Sequence, residues 1–484
     1  MRQLLRKLRC DDYITLVAAS SVIRPGVAKS GMMRQYIERH LAASPRLSAS
    51  KSVGDGLSVG SGVRGVENKQ NPALTRTQTH TAAAHTQTQW YLHPSMEDYL
   101  GETYGVMVYQ EDVIKVAHHF GGVDLGEADI LRRAMSGKYR SANRFNLLRD
   151  KFFENCSERG ITEDLTTEVW RQMESFSGYS FCKAHSASFA VESYQSLFFK
   201  AYYPLEFMVG VINNFGGFYR TEVYLHEARM AGANVCAPCV NRSTFLTRIE
   251  EKDLWMGFVH LSGLKREIAD AMHEERLENG LFASLDDLLR RLPLSLEQVT
   301  LLIRIGALRF TGKSKKKLLW EANMVFSKAP VRKQKSALFT LEQKDWALPD
   351  LPDDPVEDAY DQIELLGFSL CPPFELLSEK PLPSELNAVE MEQRPGQRIT
   401  ISGYLISRKQ VRTSRGKMMG FVDFVDAEGN YFDVTMFPET YMKYPIMGVG
   451  VYRMTGKVSD DFGVPTLEVQ SIRRLGYLED PRAV

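Results

Sequence analysis

Three cations in one short segment have the types and the spacing to hold a polyphosphate. Arg132 and Arg133 are adjacent on a predicted helix that ends near Gly137, and Lys138 follows directly. Arginine grips phosphate oxygens with a planar fork of donors and lysine adds a compact point charge, so the three side chains could bind a triphosphate together. An ordinary solvated helix end is the alternative interpretation of the same pattern.

A second candidate anion site precedes a long predicted helix. Lys183 and His185 lie between an aromatic cluster at residues 176–181 (FSGYSF) and the start of that helix. Backbone N–H groups at a helix start favour anions. A histidine in this position can equally be structural, so the spacing alone leaves both interpretations open.

Near the C-terminus, the predicted loop between the first two strands, residues 407–418, is rich in basic residues. The segment 407–418 holds five basic residues and no acid, and the strands beside it carry aromatic rings. A basic groove with aromatic faces is the arrangement by which proteins bind single-stranded nucleic acid. The alternative is that the rings belong to the core and the charges are only solvated, because strand phase is not fixed by one sequence. The candidate binding residues are Tyr404, Arg408, Lys409, Arg412, Arg415, Lys417, Phe421 and Tyr431.

The elements that must position these residues differ along the chain. Residues 90–215 have helical periodicity with short glycine breaks, and residues 216–325 mix short strands with short helices. Gly263 and Gly306 lie in apolar contexts typical of helix-hairpin-helix elements. From residue 395 the apolar period becomes two, which predicts five short strands in a small barrel. The fold class is therefore multi-domain α+β, with a mostly helical domain, a helix-hairpin-helix region and a C-terminal five-stranded barrel of the oligonucleotide-binding (OB) type.

Composition limits the kinds of partner that the protein can have. The chain has 484 residues, and 60 basic residues balance 60 acidic ones, so any polyanion site must come from local clusters. Six scattered cysteines are too few for a disulfide framework, no signal peptide is visible, and charges interrupt the most apolar stretch. We therefore expect a cytoplasmic protein. Residues 42–89 are of low complexity and are predicted to be disordered.

Charge changes sign abruptly before the barrel. Residues 309–335 contain nine basic residues and one acidic residue, whereas residues 342–364 contain nine acidic residues and one basic residue. We expect a linker between these two segments. Cys236 and Cys239 have the spacing of half a zinc site, but no second ligand pair lies nearby, so we assign no metal.

The order of several short blocks resembles the α subunit of bacterial DNA polymerase III. By this resemblance the chain divides into the start of the fingers (1–41), an insert (42–89), the helical fingers domain (90–215), a mixed and helix-hairpin-helix region (216–325), a charged linker with a connecting helix (326–394), the OB-fold (395–476) and a tail (477–484). The blocks are Arg24-Pro25-Gly26, residues 91–94 (YLHP), 102–105 (ETYG), 108–111 (VYQE), 125–138, 176–187, 193–195 (SYQ), 200–208, 240–243 (VNRS), 364–368 (ELLGF) and 437–441 (FPETY).

The resemblance implies a part in DNA-templated DNA replication. It makes Arg24, Arg132, Arg133, Lys138, Lys183 and His185 candidates to meet the phosphates of the incoming dNTP or the primer-template end. Gln334, Leu338 and Phe339 lie in a hexapeptide (QKSALF) similar to those that dock on the sliding clamp. The implied partners are primer-template and single-stranded DNA, dNTP, the clamp and other replisome subunits.

The same resemblance raises a question about catalysis. The aspartates that hold Mg²⁺ in this family lie in a palm that would precede residue 1, so we assign no catalytic residue and expect no polymerisation by this chain alone. The complete polymerase would require Mg²⁺. The alternative function is a stand-alone nucleic-acid-binding remnant of a polymerase. The insert at 42–89 could be a genuine loop or the product of an interrupted gene.

Overall fold

The computed structural model describes residues 2–23, 31–43, 90–135, 142–175, 182–327, 351–413 and 415–483. Two compact units are present, residues 1–196 and 197–484. Their division falls inside a long helix, whereas the periodicity of the sequence ends the helical domain at residue 215. Within the described ranges, no helix has both the length and the apolar character needed to cross a membrane. The predicted disorder of residues 42–89 concerns a segment that, from residue 44, lies outside these ranges.

The first unit is built from helices. They are α1 (Arg2–Lys7), α2 (Tyr13–Val22), α3 (Met32–Ala43), α4 (Met96–Leu100), α5 (Gln110–Lys115), α6 (Leu125–Met135), α7 (Ala142–Glu158), α8 (Glu163–Glu174) and the first part of α9 (Lys183–Tyr202). A 3₁₀ turn follows α4 at Gly101–Thr103, and one turn of π-helix follows α5 at Val116–Phe120. Local sequence explains several boundaries. Asp12, for example, begins α2 by accepting a 2.7 Å hydrogen bond from the backbone N–H of Thr15.

Large aromatic rings form the core of this unit. Phe120 and Phe152 are fully buried with ring centroids 6.1 Å apart, and Phe152 lies 5.3 Å from Trp170. These rings pack the π-helical turn against α7 and α8. Ala128 and Leu131 of α6 are also buried. Because residues three or four apart share one helix face, burial of Ala128 and Leu131 fixes which way the rest of α6 points.

The second unit begins with helices around a three-stranded sheet. The helices are α10 (Pro204–Asn213), α11 (Thr221–Met230), α12 (Arg266–Asn279), α13 (Leu285–Arg291), α14 (Leu296–Arg304), α15 (Lys315–Ser327) and α16 (Pro355–Leu366). The strands are β1 (Asn234–Cys236), β2 (Arg248–Glu250) and β3 (Asp253–Trp255), in the order β1-β3-β2. Single 3₁₀ turns lie at Phe258–His260, Arg309–Thr311, Pro373–Leu376 and Glu390–Gln393.

Two glycines make the hairpins that the sequence predicts. Gly263 has φ +87° before α12, and Gly306 has φ +82° after α14, a left-handed backbone that other residues adopt only with strain. A Cβ atom on Gly263 would lie 3.1 Å from Leu301 Cδ1, so the hairpin also packs closely on α14. This confirms the predicted helix-hairpin-helix region.

The predicted barrel is present and closed. Its strands are β4 (Arg398–Arg412), β5 (Met418–Val425), β6 (Tyr431–Met436), β7 (Val451–Asp461) and β8 (Val464–Arg474), and α17 (Pro438–Lys443) follows β6. The order is β4-β5-β6-β8-β7, closed by pairing of β7 with β4, and only β6 and β8 are parallel. Ile401, Phe424, Met436 and Leu467 are fully buried inside it.

One boundary of the barrel differs from the sequence prediction. Strand β4 continues to Arg412, and β5 begins only at Met418. The segment 407–418 is therefore mostly strand and not a loop. The outer halves of β4 and β5 form a projecting ladder in which Lys409 pairs with Phe421 and Arg412 pairs with Met418.

Candidate nucleotide and nucleic-acid interface

Two of the candidate cations of the first unit meet at the start of α5. We call residues 109–111 (YQE) the α5 turn. Arg132 Nη1 donates a 3.0 Å hydrogen bond to Gln110 Oε1. The backbone N–H of Lys183 donates a 3.0 Å hydrogen bond to Glu111 Oε2, and Lys183 Nζ lies 5.4 Å from the ring centroid of Tyr109. The structure therefore brings the 125–138 and 176–187 blocks together on the 108–111 block.

A buried carboxylate holds the α5 turn in shape. Asp112 Oδ2 accepts hydrogen bonds of 2.9 Å from the backbone N–H groups of Val108 and Tyr109. Asp112 is only 4% exposed, and this burial raises the pKa of its carboxyl group to about 6 although both hydrogen bonds act in the opposite direction. The sequence block VYQE gave no physical signal of this role.

Carboxylates pair with the candidate cations. Asp129 accepts from Arg132 Nε at 2.9 Å and pairs with Arg133 Nη2 at 2.7 Å. These arginines, with the Arg132 hydrogen bond as the largest cause, lower the pKa of Asp129. Glu102 receives both hydrogen bonds of Lys183 Nζ, at 2.7 and 2.6 Å. The Lys183 and Glu102 side chains are 42% and 48% exposed, so this pair remains accessible to solvent.

The start of α9 is anchored on α2, next to His185. Ser186 Oγ lies 2.6 Å from Ser21 Oγ, and Tyr13 Oη donates a 2.6 Å hydrogen bond to the carbonyl of Ala187. The exposed ring of His185 meets Phe189 edge-on at 4.5 Å. This arrangement places His185 in the first turn of α9, two residues after Lys183. Two further candidates for the same site, Arg24 and Lys138, lie outside the described residues.

In the second unit, the basic segment after Gly306 is paired with acids. Lys315 is 4% exposed and contacts Asp358 at 2.6 Å and also Asp361, while Lys316 pairs with Glu357 at 3.2 Å. Arg309 likewise pairs with Asp358. The acidic residues of α16 therefore pack onto the described part of the basic segment. They neutralise the charges of Arg309, Lys315 and Lys316.

Asp361 is the centre of this ionic cluster. Its side chain is 3% exposed and lies 2.7 Å from Arg304 Nη2 and 2.6 Å from Arg482 Nη1, in addition to its contact with Lys315. Arg482 belongs to the C-terminal tail, and the hydrogen bond from Tyr360 Oη to the carbonyl of Leu478 (2.6 Å) holds the same tail. One carboxylate thus joins the helix-hairpin-helix region, α16 and the end of the chain.

Two aromatic candidates of the barrel pack against α11. Tyr404 Oη lies 3.4 Å from Glu222 Oε1, and the Arg220 guanidinium lies 5.8 Å from the Tyr404 ring centroid. Tyr431 meets His226 edge-on at 5.8 Å, and both tyrosines pack on a small apolar cluster with Val223. Burial raises the pKa of Tyr404. Both rings therefore help to attach the barrel to α11, and their part in binding a base stays a prediction.

The other barrel candidates remain on the surface. Phe421 is 45% exposed and is the direct cross-strand partner of Lys409, so both side chains lie on one face. Within the described residues, the charged ends of Lys409, Arg412, Arg415 and Lys417 have no acidic partner within ion-pair distance. We call these four residues and Phe421 the β4-β5 ladder. Arg408 differs, because its Nη1 donates to the carbonyl of Ile446 at 2.8 Å and holds that loop.

The described residues contain no group of three or more histidine, cysteine, aspartate or glutamate side chains that could hold a metal ion. All six cysteines lie in the described ranges as free thiols, and burial raises the pKa of Cys236 and Cys239. The clamp-peptide candidates Gln334, Leu338 and Phe339 lie outside the described residues.

Comparisons with known proteins give matches in both units. Residues 72–160 match the finger domain of the bacterial DNA polymerase III alpha subunit, and residues 232–318 match a helix-hairpin-helix motif. Similar proteins include the DNA polymerase III subunit alpha of Aquifex aeolicus (27% identical, covering 91% of this chain and 34% of the relative), of Borreliella burgdorferi (26%, 98% and 39%) and of Staphylococcus aureus (29%, 92% and 38%).

These matches confirm the resemblance that the sequence blocks indicated over nearly the whole chain. The chain spans 34% to 39% of the length of these relatives.

Proposed function

We propose that this chain supplies the nucleotide-holding and DNA-binding surfaces of a bacterial replicative DNA polymerase of the DNA polymerase III alpha type. The observation that carries the proposal is the contact of both the Arg132 and the Lys183 side chains with the α5 turn. Two cations from separate sequence blocks thus lie against the same short turn. Such preorganisation suits a ligand with several phosphates, because the cost of ordering the side chains has already been met in folding.

The proposed ligand of the first unit is the triphosphate of an incoming dNTP. Arg132 and Arg133 would grip phosphate oxygens with their forks, and Lys183 would add a point charge near the start of α9. Arg24, Lys138 and His185 stay proposals for the same site or for the primer-template end. Mg²⁺ is required by complete polymerases, and the described residues offer no group of three or more carboxylate, histidine or cysteine side chains that could hold it.

The proposed partner of the second unit is DNA, and its two hairpins differ in accessibility. In the first hairpin, α12 starts with Lys265 and Arg266, and no described side chain caps its N–H groups. In the second, the backbone N–H of Lys315 at the start of α15 already donates a 2.8 Å hydrogen bond to Asp353 Oδ1. We therefore propose that the first hairpin contacts a phosphate backbone and that the second has a structural role.

Single-stranded template is the proposed ligand of the barrel. The β4-β5 ladder combines four cations with one exposed ring, the pairing that allows phosphate attraction and base stacking at once. The sliding clamp and other replisome subunits remain proposed partners through Gln334, Leu338 and Phe339. Because a bacterial chromosome is copied in the cytoplasm, we propose that the protein works there.

Parallel titrations of the purified chain with a fluorescent dNTP and with labelled single-stranded DNA test the proposal. We expect both ligands to bind, and we expect Lys183→Met to weaken dNTP binding about tenfold, as the loss of a charge-assisted contact would. Arg171→Met is the matched control, because Arg171 forms an equivalent pair with Glu168 at 2.7 Å on α8.

The two functions considered for this chain give different results in these titrations. A stand-alone nucleic-acid-binding remnant would bind DNA but would not bind dNTP, or would bind it equally in both variants. That outcome would contradict the nucleotide-holding function while leaving the DNA-binding function standing.

A further inference from the structure

Solvent-accessible carboxylates pair with the candidate phosphate-binding cations of the first unit. Glu102, in the 3₁₀ turn after α4, chelates Lys183 Nζ with both oxygens at 2.7 and 2.6 Å. Asp129, on α6, bridges the two arginines through Arg132 Nη2 at 2.8 Å and Arg133 Nη2 at 2.7 Å. A carboxylate that receives two donors in this way resembles the two oxygens of a phosphate in charge and in geometry.

We propose that Glu102 and Asp129 are built-in competitors, which a ligand must displace, and that they set the preference of the site for a triphosphate over shorter phosphates. The inference rests on the proposed nucleotide-holding function and deepens it. Glu102 and Asp129 are therefore specificity-determining residues, since they act on the ligand through the cations that they hold.

Both pairs are exposed enough to be displaced. The side chains of Lys183, Glu102 and Asp129 are 42%, 48% and 31% exposed. Ion pairs in solvent are weak, because water screens the attraction and each long side chain loses conformational freedom. The buried Lys315–Asp361 pair, with side chains 5% and 3% exposed, shows the opposite arrangement in the same chain. A ligand could not break that pair without leaving charges buried and unpaired.

Displacement explains why the number of phosphates matters. A single phosphate can replace one carboxylate, at Lys183 or at the arginines, and it gains little because it exchanges one anion for another. A triphosphate can replace both carboxylates at once, because both charged groups lie against the α5 turn: Lys183 Nζ is 5.4 Å from the Tyr109 ring centroid, and Arg132 Nη1 is 3.0 Å from Gln110 Oε1. The additional negative charge of the triphosphate then attracts the cations more strongly than the two carboxylates do.

Titration calorimetry with inorganic phosphate, pyrophosphate and tripolyphosphate, without divalent cation, tests the inference on the full chain. Glu102→Gln removes the competitor of Lys183, so we expect tripolyphosphate to bind about two- to fivefold more tightly, the range set by an exposed ion pair. We expect the affinities for pyrophosphate and phosphate to rise by a larger factor, so that the preference for tripolyphosphate narrows. Glu102→Asp keeps the charge and should stay close to the original protein.

The matched control is Glu168→Gln. It removes the same charge from the same unit by releasing Arg171, whose pair with Glu168 is 53% and 38% exposed, but it does not touch the candidate cations. A gain in tripolyphosphate affinity equal to that of Glu102→Gln would show a general effect of net charge and would overturn the inference.

The remaining outcomes distinguish failure of the competitor role from failure of the proposed nucleotide-holding function. If the original chain binds tripolyphosphate and Lys183→Met weakens binding, but Glu102→Gln weakens it too, then Glu102 positions Lys183 and the competitor role is wrong. If the original chain does not bind tripolyphosphate, and Glu102→Gln does not bind it either, the proposed nucleotide site itself fails. Equal melting temperatures for Glu102→Gln and the original chain would show that the variant is folded.

Discussion

Two basic segments of the second unit look alike in the sequence but differ in their contacts in the fold. The first, residues 309–317, pairs with acids: Arg309 with Asp358, and Lys315 with Asp358 and Asp361. In the second, the β4-β5 ladder, the charged ends of the four cations meet no acidic partner among the described residues. The first segment stabilises the fold, and the second is left available for a polyanion.

The difference comes from what else the chain brings to each place. An acidic segment follows the first and folds back as α16, where Asp361 alone meets three cations. The ladder projects beyond the barrel core as a two-stranded extension, with a turn closed by Thr413 and Lys417 at its tip. A basic run therefore indicates a nucleic-acid surface only where no acidic run can reach it.

The largest expected effect is on the neutralised segment. Asp361→Ala should leave the buried amino group of Lys315 without one of its carboxylates, and we expect the free energy of unfolding of the second unit to fall by about 3–5 kcal/mol. Urea unfolding followed by circular dichroism measures it. Glu364→Gln is the control, because Glu364 is 55% exposed at the edge of the same cluster and should cost less than about 1 kcal/mol. Equal losses in both variants would remove the distinction between buried and exposed pairs.

Asp112 is a second buried carboxylate and can be compared with Asp361. Its hydrogen-bond partners are backbone N–H groups, whereas those of Asp361 are cations. Its pKa of about 6 lies above the value of a free aspartate, so the folded chain binds this proton more tightly than the unfolded chain does. Stability of the first unit should therefore fall by roughly 2–3 kcal/mol as pH rises from about 4 to about 6, and then stay level for this group. In Asp112→Asn this contribution to the slope should vanish. An unchanged slope in thermal melts across this range would contradict the assignment.

The ladder should behave in the opposite way to the neutralised segment in DNA binding. We replace Lys409, Arg412, Arg415 and Lys417 by glutamine. The slope of the logarithm of DNA affinity against the logarithm of salt concentration should become less steep by about 2–3, since each single-strand phosphate contact contributes about 0.7 to this slope. Lys313→Gln with Lys316→Gln is the control, because these lysines pair with Glu321 at 2.7 Å and Glu357 at 3.2 Å. Fluorescence anisotropy over a salt series measures both. A larger change in the control would reverse the comparison.

The smallest effect concerns the rings of the barrel. Phe421→Ala should weaken single-stranded DNA binding by about 1–2 kcal/mol, the loss of one stacked base, without lowering the melting temperature. Tyr431→Ala should lower the melting temperature, because this ring packs against α11, and should leave DNA affinity nearly unchanged. Phe437→Ala is the control, since Phe437 is 47% exposed on the same barrel but outside the ladder. If Tyr431→Ala weakened DNA binding and Phe421→Ala did not, the tyrosine and not the phenylalanine would belong to the binding surface.

Elements with strong local periodicity could be predicted from the sequence. The five barrel strands and the two hairpin glycines follow from apolar alternation and from the need for a left-handed backbone. The extension of β4 to Arg412 could not be predicted, because it lies beyond the core and carries no apolar pattern. The packing of Tyr404 on α11 and the pairing of Asp361 with Arg482 join distant segments, and no local pattern encodes such contacts.

The candidate sites divide in the same way. Arg132 and Lys183 were identifiable as cations near helix ends, but Gln110, Glu102 and Asp129 were not identifiable as their partners. Polar residues of this kind are common on every helix surface. Their role appears only when the fold places them beside a cation.

The meeting of Arg132 and Lys183 at the α5 turn is tested most directly by a double-mutant cycle on dNTP affinity. Arg132→Met and Lys183→Met should each weaken binding about tenfold. The loss of binding free energy in the double variant should differ from the sum of the two single losses by at least about 0.5 kcal/mol, because both side chains hold one ligand. Unchanged affinity in the single variants, or strictly additive losses, would contradict a shared phosphate site.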